Sequence, residues 1–122
     1  RARLYALEKD KDRSMKIIPS SKAKEFFFHP LVRTHPETQK KSLFINQVYS
    51  IGIKDMDEEE SNELLSILFL HMEQEKYIYK HIWKADMLVM WDNRSVNHCA
   101  KGGYQGFKRL LHRTTLAGDR PF

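Results

Sequence analysis

The sequence predicts a mainly β fold with one inserted helix, and three observations predict it. Short apolar or alternating runs recur at Phe26–Arg33, Lys41–Asn46, Tyr77–Trp83, Met87–Trp91 and Lys108–Leu116. Turn residues separate them: Pro36 to Lys40, then Asp92-Asn93-Arg94-Ser95, then Gly102, Gly103 and Gly106. One long segment, Asp57 to Glu75, carries apolar residues at helical spacing. Antiparallel strands with one helix suit a sandwich or barrel with the helix packed outside.

Each element has a local reason. Pro30 and the aromatic run Phe26-Phe27-Phe28 disfavour helix, so Phe26–Arg33 reads as extended. Leu43 and Ile45 fall on one side of a second strand, and the two strands make an antiparallel hairpin around Pro36 to Lys40. Asp57 can accept from the first helical turn, and Glu60 stands three residues on, as a capping box prefers. Glu58, Glu59 and Glu60 place negative charge at the positive end of the helix dipole. Leu64, Leu65, Leu68, Phe69 and Met72 form the face expected to be buried. Tyr77–Trp83 alternates, whereas Met87–Trp91 is continuously apolar, the pattern of a strand buried on both faces. Five or so strands fall short of the eight a jelly roll needs, so the chain reads like half of a larger sheet structure.

Residues 1–24 are basic and mixed, and read as a solvated helix and linker; residues 25–122 form the folded part. Of 122 residues, 41% are hydrophobic and 30% charged, which excludes a low-hydrophobicity disordered chain. No apolar run approaches the roughly 20 residues of a membrane span, so no membrane role is expected. The net charge of +5 favours anionic partners in general. Dense basic runs interleaved with aromatics are missing, which argues against nucleic acid. The one cysteine, Cys99, rules out an intrachain disulfide and fits a reducing, cytoplasmic location.

Arg109 and Arg113 are four apart on the last strand, so they share a face, about 13 Å from each other at ~3.3 Å per residue. Leu111 lies between them. A guanidinium on a buried face needs an anionic partner. Three readings stay open: a wet face, internal Asp or Glu partners, or an anionic ligand held by the fork. His98 follows the apolar strand and its turn. A lone imidazole there is either structural or a metal ligand. His35-Pro36-Glu37 and His71-Met72-Glu73 match a His-x-acid pattern, but one lies in a turn and the other on the helix, so both read as chance.

Taken in order, Trp91-Asp92-Asn93-Arg94, His98, Tyr104, Arg109, His112-Arg113 and Gly118-Asp119-Arg120-Pro121-Phe122 resemble the C-terminal half of the taurine dioxygenase family. His29-Pro30-Leu31-Val32-Arg33-Thr34-His35-Pro36-Glu37-Thr38, Ser42-Leu43-Phe44-Ile45-Asn46 and Glu60-Ser61 with Leu64-Leu65 are similar to it upstream. The resemblance implies the C-terminal part of a double-stranded β-helix, or jelly roll, with a packed helix. It implies an iron(II)- and 2-oxoglutarate-dependent dioxygenase that uses O2 and hydroxylates a small anionic substrate, of the sulfonate or sulfate-ester type. By resemblance His98 is the late His of the 2-His-1-carboxylate iron triad. Arg109 grips the far carboxylate of 2-oxoglutarate, Arg113 holds the anionic end of the substrate, and Tyr49 stands at the substrate pocket. No catalytic side chain beyond the metal site is implied, and a homo-oligomer is. The family's early His-x-Asp has no counterpart here, so the expectation is that the other half of the barrel precedes Arg1. A non-catalytic, partner-binding homologue of the same fold is the alternative.

Overall fold

The computed structural model describes residues 25–120. The helix and linker expected over residues 1–24, and the closing Pro121 and Phe122, lie outside the described residues. The described chain divides into two compact units. The first joins residues 25–28 to Ile45–Leu88, and the second joins His29–Phe44 to residues 89–120.

The second unit holds the predicted hairpin, with strands shorter than expected: of Phe26–Arg33 only Val32 and Arg33 enter a strand, and of Lys41–Asn46 only Lys41–Leu43. Strand β1 (Val32–Thr34) pairs antiparallel with β2 (Lys41–Leu43), in the register Val32 to Leu43, Arg33 to Ser42 and Thr34 to Lys41. The Phe44 amide extends the ladder by donating to the Leu31 carbonyl at 2.8 Å. The connecting loop closes where the His35 amide donates to the Lys40 carbonyl and the Gln39 amide donates to the His35 carbonyl, both at 2.9 Å. Gln39 takes a φ of 57° to complete this turn. Arg33 is buried, with its guanidinium 5.0 Å from the centre of the Phe44 ring, and His29 meets that ring edge-on.

The first unit holds the predicted helix. Helix α1 (Glu58–Met72) starts at Asp57, whose extended backbone leaves its carboxylate free to accept from the Glu60 amide at 2.8 Å. Leu65 is buried, and Leu64, Leu68, Phe69 and Met72 are half-buried, whereas Ile67 and Leu70 on the other side are exposed. The expected apolar face is therefore the face that packs. Ile45 and Leu65 are the buried hydrophobic residues of this unit. Ser61 is also buried, and its hydroxyl accepts from the Ile53 amide at 2.8 Å, which ties the preceding loop to the helix. After α1 a 3-10 turn, Glu75–Tyr77, is the last regular element among the described residues.

Three expected strands are corrected. Tyr77 lies in the 3-10 turn, and residues 78–83, Met87–Trp91 and Lys108–Leu116 form no strand and join no ladder among the described residues. Met87–Trp91 is not buried on both faces: Leu88 is 88% exposed and Met90 86%. The physical reason is pairing. A strand is stable when its N–H and C=O groups find a neighbouring strand and its apolar face finds a layer. Among the described residues the one ladder is β1 with β2. No helix among them is long and apolar enough to cross a membrane.

Candidate functional site

The site-bearing segment of the second unit begins at Trp91. Asp92 then makes a tight turn: its carbonyl accepts from the Ser95 and Val96 amides, both at 3.1 Å, and its carboxylate accepts from the Arg94 amide at 2.8 Å. This is the Asx chemistry expected of an Asp at such a position. The turn brings His98 back onto Trp91, with ring centres 4.9 Å apart. Trp91 is itself oriented, because its indole N–H donates to Asn93 Oδ1 at 2.9 Å.

Four polar side chains brace that turn. Arg94 grips Asp92 through Nε, at 2.9 and 3.0 Å to the two carboxylate oxygens, and through Nη2 at 2.6 Å to Oδ2. Its Nη1 donates to Glu37 Oε1 at 2.9 Å. His35 Nδ1 accepts from the Glu37 and Thr38 amides, both at 3.2 Å. The ring proton therefore sits on Nε2, which donates to Asp92 Oδ2 at 3.1 Å. The Arg94 guanidinium, and after it His35, hold the Asp92 carboxyl well below the usual carboxylate range. Asp92, and after it Glu37, push the Arg94 guanidinium still higher. The sequence reading missed this constellation. It read the His-x-acid pattern at His35-Pro36-Glu37 as a chance match to a metal motif and Asp92 as turn chemistry, and did not pair the two. The two halves are 57 positions apart, and no single-sequence signal links them.

The residues given roles by resemblance fall as follows. His98 is exposed on Trp91, and neither of its ring nitrogens makes a hydrogen bond to the described residues. Arg109 lies with its guanidinium 4.9 Å from the centre of the Tyr104 ring. A turn supports that stacking: the Phe107 amide donates to the Tyr104 carbonyl at 3.1 Å, and Gly106 takes the positive φ, 84°, that the third position of a type II turn requires. Arg113 is exposed, and neither it nor Arg109 forms an ion pair among the described residues. Tyr49 belongs to the first unit, in a turn where its amide donates to the Asn46 carbonyl at 3.1 Å, and its side chain is exposed. Contacts thus join His98 to Trp91 and Arg109 to Tyr104, but do not join His98, Arg109 and Arg113 to one another. A cleft of about 340 Å³ beside the hairpin is lined by His35, Thr38, Lys40, Lys41, Ser42 and Ser95, and holds none of these residues.

No group of three or more His, Cys, Asp or Glu side chains among the described residues is arranged to hold a metal. One exposed imidazole with free nitrogens fits one coordination position, and the described residues do not fill the others.

Comparison with known proteins completes the picture. The family described as taurine catabolism dioxygenase TauD, TfdA family, matches residues 2–115, and the chain belongs to that family. It is 40% identical over 91 residues to an alpha-ketoglutarate-dependent 2,4-dichlorophenoxyacetate dioxygenase from Burkholderia sp. (strain RASC), covering 75% of this chain and 30% of that protein. It is 35% identical over 95 residues to an alpha-ketoglutarate-dependent sulfonate dioxygenase of Saccharomyces cerevisiae, covering 76% of this chain and 23% of that protein. It is 36% identical over 93 residues to an alkylsulfatase of Acinetobacter baylyi, covering 75% and 28%. The chain therefore spans less than a third of the length of these curated relatives.

Proposed function

We propose that this chain supplies one iron ligand and the anion-binding arginines of an iron(II)- and 2-oxoglutarate-dependent dioxygenase that hydroxylates a small organic anion. The observation that carries the reading is the family match over residues 2–115; the roles of His98, Arg109 and Arg113 within it are assigned by resemblance. Residues 87–91 and 108–116 are read as strands of a jelly roll, paired and covered in the complete barrel; their exposed apolar side chains are what such burial would use.

Each residue has a physical task. His98 offers a free imidazole nitrogen for one position on iron(II), and the remaining ligands come from outside the described residues. Bound iron would supply the redox chemistry with O2 that no side chain can provide. Arg109 presents a planar fork that suits the far carboxylate of 2-oxoglutarate, and Tyr104 holds its face so that its edges stay available. By resemblance Arg113 is the cation for the anionic end of the substrate, and Tyr49 is assigned to the substrate pocket. The phenoxyacetate, sulfonate and alkyl sulfate named for the relatives are all organic anions, and a sulfonate or sulfate ester is the class favoured here. A cytoplasmic homo-oligomer is part of the same reading.

The test is turnover by the protein at its natural length. With iron(II), 2-oxoglutarate and O2, an alkyl sulfonate or alkyl sulfate should accelerate succinate release, and a neutral alcohol of the same chain length should not. Succinate release that ignores every organic anion would remove the substrate assignment. Absence of any release would favour a non-catalytic, partner-binding homologue.

A further inference from the structure

We propose that the cleft between the hairpin loop and the Asp92 turn binds a phosphate group, carried by inorganic phosphate or by a small phosphomonoester, with Lys40 and Lys41 as its cations. The cleft lies within one unit, and its volume of about 340 Å³ falls at the lower end of the roughly 300–1,000 Å³ typical of small-ligand pockets. No acidic side chain is among the described residues that line it. The carboxylates of Glu37 and Asp92 are already engaged, both with Arg94 and Asp92 with His35 as well. Neither Lys40 nor Lys41 forms an ion pair among the described residues, so both charges are left for a ligand. Neighbours on a regular strand would point to opposite faces. Lys40 instead stands before β2, directly after the left-handed Gln39, and Lys41 opens the strand, so both reach the one cleft. Hydroxyl groups complete the set. Thr38 Oγ1 accepts from the Lys40 amide at 3.4 Å, which leaves its own proton to donate. Ser42 Oγ is enclosed and makes no hydrogen bond among the described residues. Such a hydroxyl is a bond left unmade, and the lysine side chains beside it are exposed and free to swing aside for an incoming oxygen. Directly across the ladder Arg33 is 5% exposed and its Nε also lacks a partner, so this face of the hairpin has donors to spare. Two ammonium groups with hydroxyl donors suit a doubly charged phosphate better than a singly charged sulfonate, because the second cation meets the second charge. None of His98, Arg109 and Arg113 lines the cleft, so phosphate binding here needs neither iron nor 2-oxoglutarate.

The test is isothermal titration calorimetry of the metal-free protein at its natural length and at low ionic strength, with inorganic phosphate and glycerol phosphate as the two probes. Wild type should bind at least one of them with a Kd on the order of 1 mM or lower. The double variant Lys40→Gln with Lys41→Gln should lose about tenfold or more in affinity. The double variant Lys101→Gln with Lys108→Gln removes the same charge from elsewhere in the unit and should lose less than about threefold. Glycerol phosphate bound more tightly than inorganic phosphate assigns the site to a phosphomonoester, and glycerol phosphate bound no more tightly assigns it to free phosphate; both support the site. Binding of neither probe at about 10 mM, or equal losses in the two double variants, would overturn it. If the Lys40 and Lys41 variant fails to fold by circular dichroism, Ser42→Ala decides: affinity weakened about threefold or more supports the site, and unchanged affinity overturns it.

Discussion

His35 Nε2 donates to Asp92 Oδ2 at 3.1 Å across 57 positions of sequence, and so joins the hairpin loop to the turn before His98. Arg94 completes the arrangement by holding Asp92 and Glu37 at once. One imidazole, two acidic side chains and one guanidinium are joined there. The two segments share no local pattern, yet two side-chain contacts join them, His35 with Asp92 and Glu37 with Arg94.

The titration of Asp92 gives the first prediction. Its carboxyl is held below its ordinary value of 3.8, so the unfolded chain takes up this proton first as pH falls. The carboxylate's contribution to stability is then fully present above about pH 4 and shrinks as pH drops below it. Thermal midpoints of wild type and Asp92→Asn, followed by circular dichroism, should differ most above about pH 4 and converge in stronger acid. A gap that widens on acidification would contradict the assignment.

Helix α1 supplies the second. Asp57→Ala removes the acceptor of the Glu60 amide and should cost about 1 kcal/mol in urea unfolding. Asp57→Asn should recover most of that loss, because the amide oxygen can still cap.

How far the sequence was legible follows from such locality. The Asp57 cap, the acidic first turn and the Leu64-Leu65-Leu68-Phe69-Met72 face are all set within a few residues, and all three stand in the structure. The hairpin's existence and its turn were legible too, because Pro36 to Lys40 separates two runs of strand character, whereas its short extent and register come from the structure. Met87–Trp91 and Lys108–Leu116 were not, since an apolar run states a preference for burial without supplying the strand that pairs with it. His98, Arg109 and Arg113 could be named by resemblance, whereas His35 could not. Its importance lies in a partner that composition and periodicity do not identify.

The third prediction concerns Ser61, 3% exposed, whose hydroxyl accepts from the Ile53 amide. Ser61→Ala leaves that amide without its acceptor in a closed space and should destabilise by about 1–3 kcal/mol. Hydrogen exchange at Ile53 should quicken more than exchange in the middle of α1. Unchanged exchange at Ile53 would show that another group protects that amide.

The two arginines give the fourth. Arg109→Ala should raise the KM for 2-oxoglutarate roughly tenfold or more and leave the KM for the organic anion much less affected. Arg113→Ala should do the opposite. Steady-state succinate assays with each cosubstrate varied in turn separate them. If both variants shift the same constant, the division of labour between the two cations is wrong.

The central claim is that His98 brings this chain to iron, and its most direct test is optical. Under anaerobic conditions the protein at its natural length is titrated with iron(II) and then 2-oxoglutarate, and the visible charge-transfer absorption of the chelated keto acid is recorded. The account predicts that the band develops to saturation in wild type and is lost in His98→Ala. A band of full intensity in His98→Ala, or none in wild type, would contradict it.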